Sequence, residues 1–174
     1  GFSGNQRVWH GVQHLIKEAL PILEKSSQVK LMIIGAHDDP KTLGLEQAPV
    51  SIQEKQIILT GAVPYPEMPQ YIDMADILVR PYQHMDFCHF SPMKLFEAMS
   101  MSKRIVASDI GQISTLLAPV ASALLFDPKR EDDLGEKLKE AIALHKADGA
   151  VTDSRSELIK HHTWNMRGIS LMNA

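Results

Sequence analysis

The sequence lacks the features that mark several common classes of protein. It contains one cysteine, Cys88, which excludes an internal disulfide framework and agrees with a reducing compartment, where we expect a free, inert thiol. Its longest apolar runs, such as Leu31 to Ala36, are far shorter than the ~20 residues that a membrane-spanning helix needs. No signal peptide is visible. We therefore expect a cytoplasmic protein with no transmembrane segment.

Basic tracts and dinucleotide fingerprints are also missing. Lys and Arg number 18 against 21 Asp and Glu, for a net charge of -3, and no basic run offers a track for nucleic acid. No Gly-x-Gly-x-x-Gly occurs, which argues against a dinucleotide-dependent dehydrogenase. His84, Asp86, Cys88 and His89 crowd together and do not match the spaced pairs of zinc sites. We expect neither a nucleic-acid partner nor a metal site.

The 174 residues suffice for one domain with a sizeable core, and apolar runs alternate with amphipathic segments. The predicted strands are 29–34, 56–60, 76–79, 104–108 and 123–126. The first predicted helix begins at Val12 and is bent or shortened at Pro21. Segment 38–54 is predicted to be a loop with one uncertain helix. Further helices are predicted over 66–72, from Ser91, near 113–117, from Leu134 and over 163–173. This alternation predicts an α/β fold with a Rossmann-like parallel sheet and helices on both faces.

The chain opens without a methionine, in a glycine-containing turn with no predicted strand before it. This opening suggests a piece of a longer protein whose first strand is truncated.

The segment from His89 to Met101 carries the clearest chemical signal. Ser91 followed by proline is typical of a helix start, because serine caps free N–H groups and proline fits the first turn. At ~100° per residue, Ser91, Lys94 and Glu97 fall within one arc of roughly 120°. Lys94 in the first turn adds a cation to the positive end of the helix dipole, which favours a bound anion. Glu97 can accept two hydrogen bonds from a vicinal diol such as a ribose.

A phosphate at this helix start and a diol one turn further along would suit a nucleotide. The competing interpretation is that Lys94 and Glu97 merely pair with each other at the i, i+3 spacing on a solvated face.

A second candidate is the turn from Gly4 to Val12, which leads into the first helix. Such a turn offers backbone N–H groups to a phosphate, with Arg7 and His10 as charge partners. The alternative is a plain strand-to-helix loop with Trp9 packed on the core.

These residues carry a resemblance to a known family. Three stretches carry it: the segment Ser91-Pro92-Met93-Lys94-Leu95-Phe96-Glu97-Ala98-Met99, the strand Arg104 to Ser108 and the turn Asp109-Ile110-Gly111. They resemble the C-terminal, donor-binding half of the two-domain, retaining glycosyltransferases of family 4 (group 1). Those enzymes have the GT-B fold, and the resemblance covers most of the chain. It implies a single nucleotide-sugar-binding domain over 1–174, with 163–173 as the closing helix and the acceptor domain outside this chain.

The resemblance also implies roles for particular residues. Glu97 would bind the ribose, and the turn Gly61 to Tyr65, through Val63, would lie beside the nucleobase. Many family members have a glutamate eight residues before the counterpart of Glu97, but this chain has His89 there, so the contact with the donor sugar is missing or changed. The phosphates would be held by Lys94, Ser91, Gly4, Arg7 and His10. Where relatives have lysine, His10 would be charged only part of the time.

The implied reaction is transfer of a sugar from a nucleotide-diphospho-sugar to a glycan, lipid or small-molecule acceptor, with retention and without a cofactor or metal. Basic side chains and helix N-termini would stabilise the leaving diphosphate. Catalytic groups stay unknown, and the fragment alone is expected to be inactive. The alternatives are a degenerate, non-catalytic nucleotide-binding or scaffold domain, and a receiver-type signalling module. The latter needs an aspartate after its third strand, where this chain has Gly61.

Overall fold

The computed structural model describes residues 1–5, 7–35, 43–85, 93–149 and 151, and every structural statement below concerns those residues. The strands are β1 (Phe2–Ser3), β2 (Leu31–Ile34), β3 (Ile57–Leu59), β4 (Ile77–Arg80), β5 (Arg104–Ser108) and β6 (Ala123–Phe126). The α-helices are α1 (Val12–Lys25), α2 (Val50–Gln56), α3 (Met68–Asp73), α4 (Met93–Ser100), α5 (Gly111–Leu117) and α6 (Asp133–Asp148). Short 3-10 turns, Val8–His10, Leu45–Gln47 and Tyr65–Glu67, precede α1, α2 and α3.

The strands form two three-stranded parallel sheets, β1-β2-β3 and β4-β5-β6. Gly1 joins them, because its nitrogen donates to the Ile77 carbonyl over 2.6 Å and its carbonyl accepts from the Val79 amide over 2.8 Å. β1 therefore lies beside β4, and the combined order is 3-2-1-4-5-6. In such a sheet the strand order reverses between β1 and β4, and ligands bind at the carboxyl ends of the strands near this point.

The helices cover both faces of the sheet, as expected for parallel strands. Each face of the sheet carries its own hydrophobic core, and successive strand residues belong to different cores. On one face, α1, α2 and α6 pack against Ile33, Val79 and Val106. On the other face, α3, α4 and α5 pack against Ile34, Leu78 and Ile105. This alternation is the period of two that a strand imposes on its side chains. The predicted Rossmann-like α/β fold is confirmed.

Some boundaries differ from the prediction. A two-residue strand, β1, lies in the opening segment where no strand was predicted. α1 is not shortened at Pro21 but continues to Lys25. Pro21 is exposed, so the backbone groups that it leaves without an intrahelical bond lie where water can reach them. The predicted strand 76–79 is shifted by one residue and includes Arg80 as its last member.

Candidate nucleotide site

Three strands are followed by glycine at the same edge of the sheet. The parallel register of β1, β2 and β3 places Gly4, Gly35 and Gly61 side by side. The Gly35 amide donates to the Gly61 carbonyl over 3.0 Å, and the Gly4 amide donates to the Ile34 carbonyl over 2.9 Å. Their φ angles are 155°, 85° and 65°, values that favour glycine. No side chain projects from this row, so a ligand can approach the backbone closely.

The ammonium group of Lys94 lies over this row. Its Nζ is 2.9 Å from the position that a Cβ on Gly4 would occupy. Lys94 is the second residue of α4, as predicted, and no ion pair among the described residues joins it to Glu97. Burial lowers the pKa of Lys94 and the charge of Arg80 lowers it further, while Glu97 opposes them. The structure thus favours an ammonium facing the sheet edge over a simple pair with Glu97.

The turn between β1 and α1 presents a second cation. The Arg7 guanidinium carbon lies 4.9 Å from the centroid of the Trp9 ring, in a cation–π contact. Trp9 is 39% exposed and belongs to neither hydrophobic core, so the expectation that it packs on the core is wrong. The indole instead forms a platform that restrains Arg7 at the surface.

His10 is held between this turn and the loop after β4. Its Nδ1 lies 2.9 Å from the Asn5 carbonyl oxygen, and its ring contacts Tyr82 edge-on with centroids 5.7 Å apart. Burial lowers the pKa of His10, the bond to Asn5 opposes this effect, and the charges of Lys94, Arg7 and Arg80 lower the pKa further. Of the predicted phosphate ligands, Lys94 and Arg7 therefore both lie close enough to act on the charge of His10.

Arg80 also belongs to this group of cations, and the sequence analysis did not identify it. It ends β4 and is 1% exposed. Its Nη2 donates to the Lys94 carbonyl over 3.1 Å, and its Nη1 donates to the Val79 carbonyl over 3.0 Å. A signal was available, because an arginine directly after three apolar residues falls at the carboxyl end of a strand.

Glu97 lies one turn further along α4, beside a cavity of about 180 Å³. The cavity lies between α4 and the segment that contains α3, and its lining is mostly apolar: Tyr65, Pro66, Met68, Pro69, Ile72, Glu97, Ser100 and Met101. The Glu97 carboxylate makes none of the ion pairs found in the described residues. Its oxygens can therefore accept hydrogen bonds from a ligand.

The remaining candidates are separate from this group or lie outside the described residues. Val63 is half-buried and packs against the core on the α3–α5 face, which leaves its backbone to contact a ligand. Ser91 and His89 lie outside the described residues, as do the predicted helix over 163–173 and three of the four crowded residues near His84.

Within the described ranges, no three His, Cys, Asp or Glu side chains cluster to hold a metal. No helix there combines the length and apolar character needed to cross a bilayer.

Residues 1–143 match the sequence family described as glycosyl transferases group 1. The chain belongs to this family. One relative is the putative teichuronic acid biosynthesis glycosyltransferase TuaC of Bacillus subtilis (strain 168), which is 26% identical over 140 residues. The match covers 79% of this chain and 33% of TuaC, so the chain spans about a third of that relative.

Solved structures show the same fold. The C-terminal domain of the group 1 glycosyl transferase LpcC from Francisella tularensis has a TM-score of 0.70 at 23% identity, covering 92% of this chain and 84% of that one. Anabaena HepE, crystallised in complex with UDP, has a TM-score of 0.69 at 18% identity, covering 98% of this chain and 46% of HepE. The predicted resemblance to group 1 glycosyltransferases of GT-B fold is therefore confirmed.

Proposed function

We propose that this chain is the donor-binding half of a glycosyltransferase that transfers a sugar from a nucleotide-diphospho-sugar with retention. One observation carries the proposal: the Lys94 ammonium lies over Gly4 at the carboxyl edge of the sheet, with Glu97 one turn further along α4. A cation and an open backbone suit a diphosphate, and a carboxylate one turn away suits the ribose hydroxyls. Membership of the glycosyl transferase group 1 family supports this assignment.

The cations match what departure of the leaving group requires. Negative charge grows on the nucleoside diphosphate as the glycosidic bond breaks, and fixed positive groups stabilise it. Three basic side chains lie at the same edge of the sheet: Lys94, Arg7 and His10. The charges of Lys94 and Arg7 both act on the His10 ring. The first turn of α4, with Ser91 before it, would add backbone N–H groups. We expect the reaction to proceed without a metal ion.

The nucleoside would lie on the other side of Glu97. The carboxylate would bind the ribose, and the backbone around Val63 would contact the base. Tyr65 and Pro66, beside Glu97 in the apolar cavity, supply surface close to that position. The UDP complex of HepE, which shares this fold, supports a nucleoside diphosphate as the ligand.

The acceptor site would lie on a second domain. TuaC, of which this chain spans about a third, is long enough to contain one. Transfer with retention needs the acceptor held close to the donor sugar in a defined orientation, a geometry that would come from closure of two domains. We therefore expect the 174-residue chain to bind nucleotide but to transfer no sugar. The acceptor of the whole enzyme would be a glycan, a lipid or a small molecule.

Calorimetric titration of the chain with UDP, GDP, ADP and their nucleosides tests the binding role. We expect one diphosphate to bind at least tenfold more tightly than its nucleoside. Equal affinities for every diphosphate and its nucleoside would contradict the phosphate site. Turnover by the whole enzyme in excess EDTA then tests both the metal-free mechanism and the non-catalytic alternative. Activity lost in EDTA and restored by a divalent ion would contradict the mechanism, and binding without any turnover would favour a scaffold.

A further inference from the structure

Arg80 is a buried cation that forms no ion pair with any described residue. It is 1% exposed and is the largest fully buried side chain in the described residues. Its Nη atoms donate to two backbone carbonyls, of Val79 and Lys94, and its Nε has no hydrogen-bond partner among those residues. Burial is the largest effect on its pKa and lowers it, whereas Tyr82 and Glu97 favour its charged form. In the described part of the chain, the charge is therefore not balanced by a paired carboxylate.

Such a charge is costly unless something else requires it. Burial lowers the pKa of Arg80. A guanidinium nevertheless keeps its proton in proteins, so the side chain cannot escape this cost by becoming neutral. Well-packed apolar residues in place of buried charges are often neutral or stabilising. Two neutral hydrogen bonds to carbonyls would not need a full positive charge. Stability alone thus gives a weak reason for an arginine at this position.

The location of Arg80 indicates what the charge serves. The Ser108 Oγ donates to the Tyr82 carbonyl oxygen over 2.6 Å and lies 3.2 Å from the Arg80 carbonyl oxygen, so Ser108 holds the backbone at this end of β4. The bond from Nη2 to the Lys94 carbonyl joins β4 to the first turn of α4, the turn from which the Lys94 ammonium reaches Gly4. The charge of Arg80 also acts on the Lys94 ammonium and on the His10 ring. Arg80 therefore lies behind the basic side chains Lys94 and His10, in the interior of the protein, and acts on both.

We propose that Arg80 is a positioning residue for the diphosphate: it fixes the first turn of α4 beneath Lys94 and adds a permanent positive charge behind the phosphate site. The inference rests on the proposed nucleotide-diphosphate function and deepens it. Arg80 does not touch the ligand. It acts through Lys94 and through the electrostatic potential at the glycine row.

Arg104 is the matched control within the chain. It is also a buried arginine, 5% exposed, with an Nε that has no hydrogen-bond partner among the described residues. It begins β5 and is paired with Ile77 at the start of β4, so it lies at the opposite edge of the sheet from Arg80. Its Nη2 lies 3.9 Å from an Asp148 carboxylate oxygen. Replacing each arginine by methionine removes the same charge at the two edges.

The test measures affinities for the tightest-binding diphosphate among UDP, GDP and ADP and for its nucleoside. We expect Arg80→Met to lower diphosphate affinity at least tenfold and to change nucleoside affinity less than twofold. Arg104→Met should leave the diphosphate-to-nucleoside preference unchanged. A second readout is the His10 pKa, followed by NMR. It should rise in Arg80→Met, because a nearby positive charge has been removed, and stay constant in Arg104→Met.

Equal losses for diphosphate and nucleoside in Arg80→Met would show a purely structural role and overturn the inference. So would an unchanged diphosphate affinity. If Arg80→Met does not fold, the same affinities are measured for Arg80→Lys. Because lysine keeps the positive charge, this variant should keep the preference for diphosphate over nucleoside and the His10 pKa of the wild type. A lysine variant that binds both ligands equally would overturn the inference. A wild-type chain without diphosphate preference would instead overturn the proposed function itself.

Discussion

Gly11 packs against the carbonyl oxygen of Pro81 so closely that no side chain fits between them. Its φ of 66° and ψ of 22° are left-handed, and it caps the start of α1. The turn with Arg7 and His10 thereby docks on the loop after β4. The Gln83 amide strengthens this docking by donating to the Trp9 carbonyl over 3.1 Å. Two segments far apart in sequence are fixed together beside the candidate site.

Gly11→Ala should destabilise the chain strongly, and Gly44→Ala provides the matched control. Gly44 has a φ of 73° and a ψ of 22° and also precedes a helical turn, but the atom nearest to an added Cβ is 4.0 Å away. The left-handed conformation costs a non-glycine residue about 1–2 kcal/mol at either position. Overpacking against Pro81 should add about 1–3 kcal/mol at Gly11 alone. Urea unfolding measures both, and equal losses would contradict the close approach.

Glu97→Gln should weaken binding of diphosphate and nucleoside by the same factor. Hydrogen bonds to charged groups contribute about 1.5–3 kcal/mol, so the loss should be roughly tenfold or more. The melting temperature without ligand should stay close to wild type, because Glu97 makes no ion pair within the described residues. Glu54→Gln, on the exposed side of α2, is the control. Unaltered affinity in Glu97→Gln would remove the ribose assignment.

Lys94→Met should have opposite effects on stability with and without ligand. Methionine keeps an apolar stem for this half-buried position. A cation near a helix start is unfavourable by about 0.3–1 kcal/mol, so the free variant should melt at the same temperature as wild type or slightly higher. With saturating diphosphate it should melt lower, because ligand binding stabilises the folded state. Thermal melts with diphosphate, nucleoside and no ligand test this, and equal destabilisation in all three would indicate a structural lysine.

Stability should decrease in mildly acidic solution because of His10. Burial is the main cause that lowers its pKa in the folded chain below the ordinary value of 6.5. As the pH falls through 6.5, the unfolded chain takes up the proton first, so the free energy of unfolding decreases until the folded-state pKa is passed. His10→Asn should flatten this part of the profile. Urea unfolding from pH 7.5 to 5.5 measures the difference.

The same residue should make nucleotide binding depend on pH in the opposite direction. A bound diphosphate favours the protonated ring, so diphosphate affinity should increase as the pH falls below 6.5, while nucleoside affinity should not. An NMR titration that places the His10 pKa of the free chain above 6.5 would contradict the stability expectation. A diphosphate affinity that does not change between pH 7.5 and 5.5 would contradict the binding expectation.

Local patterns predicted two strands with the bounds that the structure shows. The strands 104–108 and 123–126 were predictable because each is a short, largely apolar run, too short for a typical helix and followed by turn residues. The placement of Lys94 in the first turn of a helix was also predictable, because Ser91 and Pro92 just before it are typical of a helix start. The sequence motif around Glu97 was sufficient to indicate the glycosyltransferase family, which the family match confirmed.

The tertiary structure alone decided which distant groups meet. Nothing local to Gly4 indicates that a lysine ninety residues later lies against it, because that contact depends on β1 lying beside β4. The burial of Arg80 follows from the position of α4 above the end of its strand, and the requirement for Gly11 follows from the path of Pro81. Sequence periodicity determines which face a side chain occupies within its own element. The order of the strands determines which faces share a site, and that order is set by long-range packing.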